Sequence, residues 1–128
     1  MPTRRVIIDH LTIGVYDLER SRRFYAQALA PLGFDDLGPS GDAHPGISFG
    51  TKDEDDFAIS EEYEQGGQLH IAFAADSTDQ VDAFHAAAIA AGGRDNGAPG
   101  PRPEYSDGYY GAFVLDPDGH NVEAVFHA

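Results

Sequence analysis

Alternation and helical spacing divide this chain into short strands and two longer amphipathic runs. In VIIDHLTIGV (6–15), Ile7, Leu11, Ile13 and Val15 share one face by the period-two rule, and Ile8, His10, Thr12 and Gly14 share the other. In QLHIAFAA (68–75), Leu69, Ile71 and Phe73 oppose Gln68, His70, Ala72 and Ala74. A helix is expected after each strand. Asp17 is placed to cap the first, Leu18, Phe24, Tyr25, Ala28 and Leu29 form its stripe, and Pro31 and Gly33 mark its end. Ser77 or Thr78 caps the second, with Val81, Phe84, Ala88 and Ile89 at helical spacing and Gly92-Gly93 as the stop. Strand-like pieces follow each helix. They are FDDL (34–37), GISFG (46–50) and DFAISEEY (56–63), then a poorly marked segment at 94–98, YYGAFVLD (109–116) and NVEAVFH (121–127). GAPGPRPEYSDG (97–108) carries too much Pro and Gly for a sheet interior and reads as a loop.

The pattern repeats. A shift of about 60 residues lays HLTIGVYDLERSRRFYAQALAPLGFD (10–35) over HIAFAADSTDQVDAFHAAAIAAGGRD (70–95), matching His10 with His70, Phe24 with Phe84, Gly33 with Gly93 and Asp35 with Asp95. The expectation is an α+β fold of two tandem βαβββ modules, about 5–64 and about 67–128, within a single domain, their curved sheets surrounding a cleft.

Composition narrows the partners. Eight Lys/Arg against 22 Asp/Glu give a net charge of −14, a field that disfavours nucleic acid and anionic membrane surfaces. The absence of cysteine removes disulfides and thiolate chemistry. No apolar run is long enough to span a bilayer, and MPTRRVIIDH lacks the features of a signal peptide, so a cytoplasmic protein is expected. The acidic run DEDD (53–56) reads as a solvated turn.

Both histidines of the repeat sit on the less apolar strand face, among small residues. In NVEAVFH, Asn121, Glu123, Val125 and His127 oppose Val122, Ala124 and Phe126, so Glu123 is a carboxylate between apolar neighbours. Burying such a charge alone costs several kcal/mol, so it needs a partner or a cation. Two histidines and one carboxylate suit a divalent metal with open positions. Spacing by itself does not make the three converge. Tyr105, Tyr109 and Tyr110 lie in or before the strand beside Glu123, where a phenol would bind a substrate oxygen or donate a proton. Glu123 and Tyr110 are the catalytic candidates, with Tyr105, Tyr109 and Ser60 as substrate-binding ones, although alternation leaves open which face looks inward. Arg102 is a candidate for holding an anionic group, and His127 for supporting Glu123. His85 and His120 read as bystanders, and DPDG as a turn that lacks the rest of a calcium loop.

DHLTIGVYDLERSRRFY (9–25) resembles the opening of vicinal-oxygen-chelate proteins, the superfamily of glyoxalase I, extradiol dioxygenases, fosfomycin-resistance enzymes and bleomycin-binding proteins. FVLDPDGHNVEAV (113–125) resembles its closing strands and LHIAFAA (69–75) its central strand. The resemblance covers nearly the whole chain. It implies metal ligands on the first strand of each module and on the last strand, the positions of His10, His70 and Glu123. It implies Zn, Ni, Mn, Fe or Co as the ion. The fourth ligand of glyoxalase I, a glutamate that also helps move the substrate proton, falls at Ser60, and Glu61 or Glu62 reaches that position only by a register slip that turns the side chain to the other face.

The resemblance implies a metal-dependent enzyme of lyase, isomerase or dioxygenase type acting on a small substrate with vicinal oxygens. The alternative is a non-catalytic, antibiotic-sequestering protein of the bleomycin-resistance type. In either case an open, curved sheet per module predicts a homodimer.

Overall fold

Burial of one face of each amphipathic strand against a helix organises both halves. The computed structural model describes residues 8–39, 45–52 and 54–128. In order these form β1 (Leu11–Gly14), α1 (Leu18–Leu29), β2 (Asp35–Pro39), β3 (Ile47–Thr51), β4 (Glu54–Ser60), β5 (His70–Ala74), α2 (Thr78–Ala90), β6 (Arg94–Pro101), β7 (Tyr109–Leu115) and β8 (Asn121–His127). A single 3-10 turn, Ala30–Leu32, extends α1 and closes on Gly33, whose φ of 89° is a left-handed conformation that costs glycine little.

The strands make two four-stranded sheets, ordered β1-β4-β3-β2 and β5-β8-β7-β6. β1 runs parallel to β4 and β5 to β8, and the remaining pairs are antiparallel. This is the α+β arrangement of two βαβββ modules that the repeat implied. Both helix starts follow the capping chemistry: the side chain of Asp17 accepts from the Arg20 amide, and that of Ser77 from the Gln80 amide.

Each sheet has a helix side and an open side. Ile13, Val15, Phe57 and Ile59 pack on Phe24, Tyr25, Ala28 and Leu29 of α1, while Ala112, Val114, Val122 and Ala124 pack with Val81, Phe84 and Ala88 of α2. The two helices also meet each other. Aromatic contacts join the modules, with the Phe57 and Phe73 centroids 5.2 Å apart and those of Phe34 and Phe73 6.3 Å apart. Among the described residues β1 and β5 each have one neighbour, so each sheet ends in an unpaired edge.

Five local expectations are corrected. The segment 97–108 is not all loop, because β6 continues to Pro101. It does so as an edge strand with breaks in register between Asp95 and Gly97 and between Gly97 and Gly100. Proline is tolerated there because no further strand needs its missing donor. β4 stops at Ser60 instead of reaching Tyr63, because the Glu61 carboxylate turns to accept the amide of Leu18 at the start of α1, at 2.8 Å. Ile89 is more than a third exposed rather than core. Of the acidic run, Glu54, Asp55 and Asp56 lie in β4 as exposed strand residues, while Asp53 lies outside the described residues. The first strand, expected from residue 6, begins at Leu11 among the described residues, so His10 immediately precedes it.

Candidate metal and ligand site

β8 is flanked by β5 and β7, and its register sets Glu123 between Ala72 and Phe113. Alternation sends Val122 and Ala124 to the helix side, so Glu123 faces the open side, where it is only 1% exposed. Two side chains serve this buried carboxylate. His70 Nε2 lies 2.7 Å from Oε1, and the Tyr109 hydroxyl donates to Oε2. The Tyr109 phenol is pushed above its ordinary pKa, first by burial and then by the hydrogen bond to and charge of Glu123. Gly111 keeps the neighbouring backbone low: a Cβ there would come within 3.1 Å of both Glu123 Oε2 and the Tyr109 ring.

The pair fits a transition metal. Two donors bound at right angles about 2.1 Å from one ion sit roughly 3.0 Å apart, close to the 2.7 Å between Nε2 and Oε1. Half of the His70 side chain is exposed while Glu123 is enclosed, so the imidazole is the accessible side of the pair.

His10 is not brought to them. It lies at the first sheet, its Nδ1 2.9 Å from Asp9, and lines a polar cavity of about 520 Å³ with Thr12, Ser48, Asp55, Ser60 and Tyr63. The hydrogen bond that His10 donates to Asp9, with the charges of Asp9, Asp55 and Asp56, raises the His10 pKa. Ser60, at the position of the absent glutamate, is buried; its hydroxyl donates to the Pro45 carbonyl at 2.6 Å and accepts from the Glu62 amide. One chain therefore places His10 and Ser60 at the first sheet and His70 and Glu123 at the second.

The tyrosines separate by strand parity. Tyr110, the catalytic candidate, turns to the helix side and donates to Asp82 of α2 at 2.7 Å, so it does not stand beside Glu123. Tyr109 takes that place. Its ring meets Tyr105 and His127 edge-on, both at 5.1 Å. Arg102 also reaches the open side, its guanidinium carbon 5.5 Å from the centroid of Phe113, whose ring lies 6.1 Å from that of His70. Phe113 and Gly111 escaped sequence reasoning; the signal that finds them is their parity with Glu123 across β7.

The DPDGH turn holds a second group. Asp116, Asp118 and His120 each bring a ligand atom within 4.8 Å of the others, a spacing that can hold an ion. Those donors are engaged in the fold. Asp116 accepts from the amides of Asp118 and His120 and from the Tyr25 hydroxyl, and Asp118 accepts from Arg20 and Ser21. His120 Nδ1 accepts from the Leu69 amide, which assigns the ring proton to Nε2, a buried atom without a hydrogen-bond partner. His120 thus anchors the entry to β5 and is no bystander.

The model of the glyoxalase/bleomycin resistance protein/dioxygenase superfamily matches residues 7–124, and the chain belongs to that superfamily. A glyoxalase/bleomycin resistance protein from Albidiferax ferrireducens T118 is 31% identical, with a TM-score of 0.78, over 96% of this chain and 100% of that one. TnmS3, an antibiotic binding protein from Streptomyces sp. CB03234, has the same fold at 19% identity, with a TM-score of 0.69, over 99% of this chain and 100% of that one. Glyoxalase I from Zea mays is 24% identical, with a TM-score of 0.67, over 93% of this chain and 45% of that longer chain. Among curated proteins there is no match. No helix among the described residues is long and apolar enough to cross a membrane.

Proposed function

We propose that this protein is a divalent-metal-dependent enzyme acting on a small substrate with neighbouring oxygens, its metal held by His70 and Glu123 of one subunit and His10 of a second copy. The observation that carries the reading is the pair of donor atoms 2.7 Å apart on a buried carboxylate and an accessible imidazole. The unpaired edges of β1 and β5 support the dimer, since joining two such edges would extend both sheets and bring a first-sheet half-site to a second-sheet half-site.

When bound, the ion supplies Lewis acidity to the substrate oxygens. The chain's own residues do the rest. Glu123 fixes His70 and Tyr109 in place, Tyr109 holds a proton at its phenol oxygen, and Phe113 packs beside the His70 ring. Ser60 contributes no charge to the site, which leaves a coordination position to water or substrate. A glutathione-dependent isomerisation that needs a second carboxylate base is not favoured by this set.

A second reading has its own support. Both Glu123 oxygens already have partners within the chain, an arrangement that stands without an ion and would serve a binding cleft in an antibiotic-sequestering protein.

Metal analysis of protein made without a histidine tag decides between the two. The enzyme reading expects about one transition metal per chain, lost in His70→Ala and in His10→Ala, and partly recovered when the two variants are co-expressed and share subunits. Protein that neither contains nor takes up Zn, Ni, Mn, Fe or Co would leave the sequestering reading.

A further inference from the structure

We infer that the open face of the second sheet selects ligands bearing an anionic group, and that Arg102 is the residue that reads it. The inference uses the proposed site only for where the other end of the ligand lies. Arg102 is held in a fixed pose. Nη1 donates to the carbonyls of Gly100 at 3.0 Å and Pro101 at 3.3 Å, and Nη2 donates to that of Ala98 at 2.7 Å. Those bonds leave the Nε–H and one Nη2 hydrogen unused. A planar guanidinium with two donors left over suits the two oxygens of a carboxylate.

Its charge is the second observation. Arg20 and Arg22 face carboxylates, Asp118 at 3.3 Å and Asp36 at 2.7 Å. Among the described residues no carboxylate pairs with Arg102, in a chain whose net charge is −14. A half-buried cation met only by carbonyls retains a field directed at whatever occupies the face.

Spacing is the third. The buried ring of Phe113 links Arg102 to His70, with the guanidinium carbon 5.5 Å and the imidazole centroid 6.1 Å from its centroid. A ligand laid along this face from His70 to Arg102 would present neighbouring oxygens toward His70 and Glu123 and a carboxylate toward Arg102. Glycines let the strand pack close beneath the guanidinium: a Cβ on Gly97 would meet Phe113 at 2.8 Å, and one on Gly100 would meet Arg102 at 3.3 Å.

The test compares 3,4-dihydroxybenzoate with its uncharged amide by calorimetric titration at neutral pH, with and without added zinc. The acid is expected to bind about tenfold tighter than the amide in both states, the scale of one charge-assisted contact. Arg102→Met should bring the acid down to the amide without weakening the amide, and Arg102→Lys should keep part of the preference. Equal affinities in the native protein, no binding of either probe, or a preference that survives Arg102→Met would each overturn the inference. The native comparison needs no variant, so a misfolded Arg102→Met does not blunt it. Metal uptake is read separately: if none of Zn, Ni, Mn, Fe or Co is taken up, the metal reading fails while the metal-free comparison still decides Arg102.

Discussion

Tyr25 shows how one buried hydroxyl ties distant parts of the chain. Its ring is fully buried among Phe24, Phe49 and Phe57, and its hydroxyl donates to Asp116 at 2.5 Å, across to the turn before β8. Burial, with the charge of Asp116 behind it, pushes the phenol well above its ordinary pKa. A raised folded-state pKa contributes stability that is complete below the unfolded value near 10 and is lost as pH rises beyond it. Tyr25→Phe should cost about 1–3 kcal/mol at neutral pH, because Asp116 loses a donor in a buried setting. The variant should also lose less further stability than the native protein above pH ~10; urea unfolding at neutral and alkaline pH checks both. At this scale the sequence was informative where small neighbours exposed a polar residue, as for His70 and Glu123. It was silent on Tyr109 against Tyr110, because alternation divides a strand into two faces without saying which faces the helix.

Among elements, the link between α1 and β2 is electrostatic. Arg22 Nε donates to Asp36 at 2.7 Å and Nη2 donates to its other oxygen at 3.2 Å, while the Gly38 amide adds a third bond. Burial raises the Asp36 carboxyl, but the bonds from Arg22 and Gly38 outweigh it and leave the pKa below the ordinary value. A depressed pKa contributes stability above the unfolded value, lost as pH falls through the folded one. Asp36→Asn should therefore cost about 0.5–1 kcal/mol at pH 7, discounted for a partly solvated pair. The difference from the native protein should close in acid below the usual aspartate range, as thermal melts across pH would show. Element order was legible from the paired histidines, phenylalanines and glycines of the repeat. The length of β6 was not, since Pro and Gly signal a loop unless the strand is known to be an edge, and edge position is a property of the sheet.

The whole molecule leaves its chemistry divided. With His10 on one sheet and His70 and Glu123 on the other, the proposed three-ligand set would need a second chain, and the open edges of β1 and β5 are where it would dock. Light scattering should give a mass about twice the chain's 13.7 kDa. Proline placed at Ala72 in β5 should return the protein to the monomer and abolish metal uptake together, since it removes an edge donor; a monomeric native protein that still binds metal would count against the shared site.

Periodicity and the internal repeat determined what local forces decide: two βαβββ units, their capped helices, and a less apolar face on each first strand. Those features depend on neighbours within a few residues, so they are written in the chain. Tertiary structure alone decided that Glu123 meets His70 and Tyr109, that Tyr110 turns away to Asp82, that Arg102 lies across Phe113, and that His10 stays apart. Each of these follows from which strands become neighbours and which edges stay open. Strand pairing is a long-range choice that the alternation of a single strand does not encode.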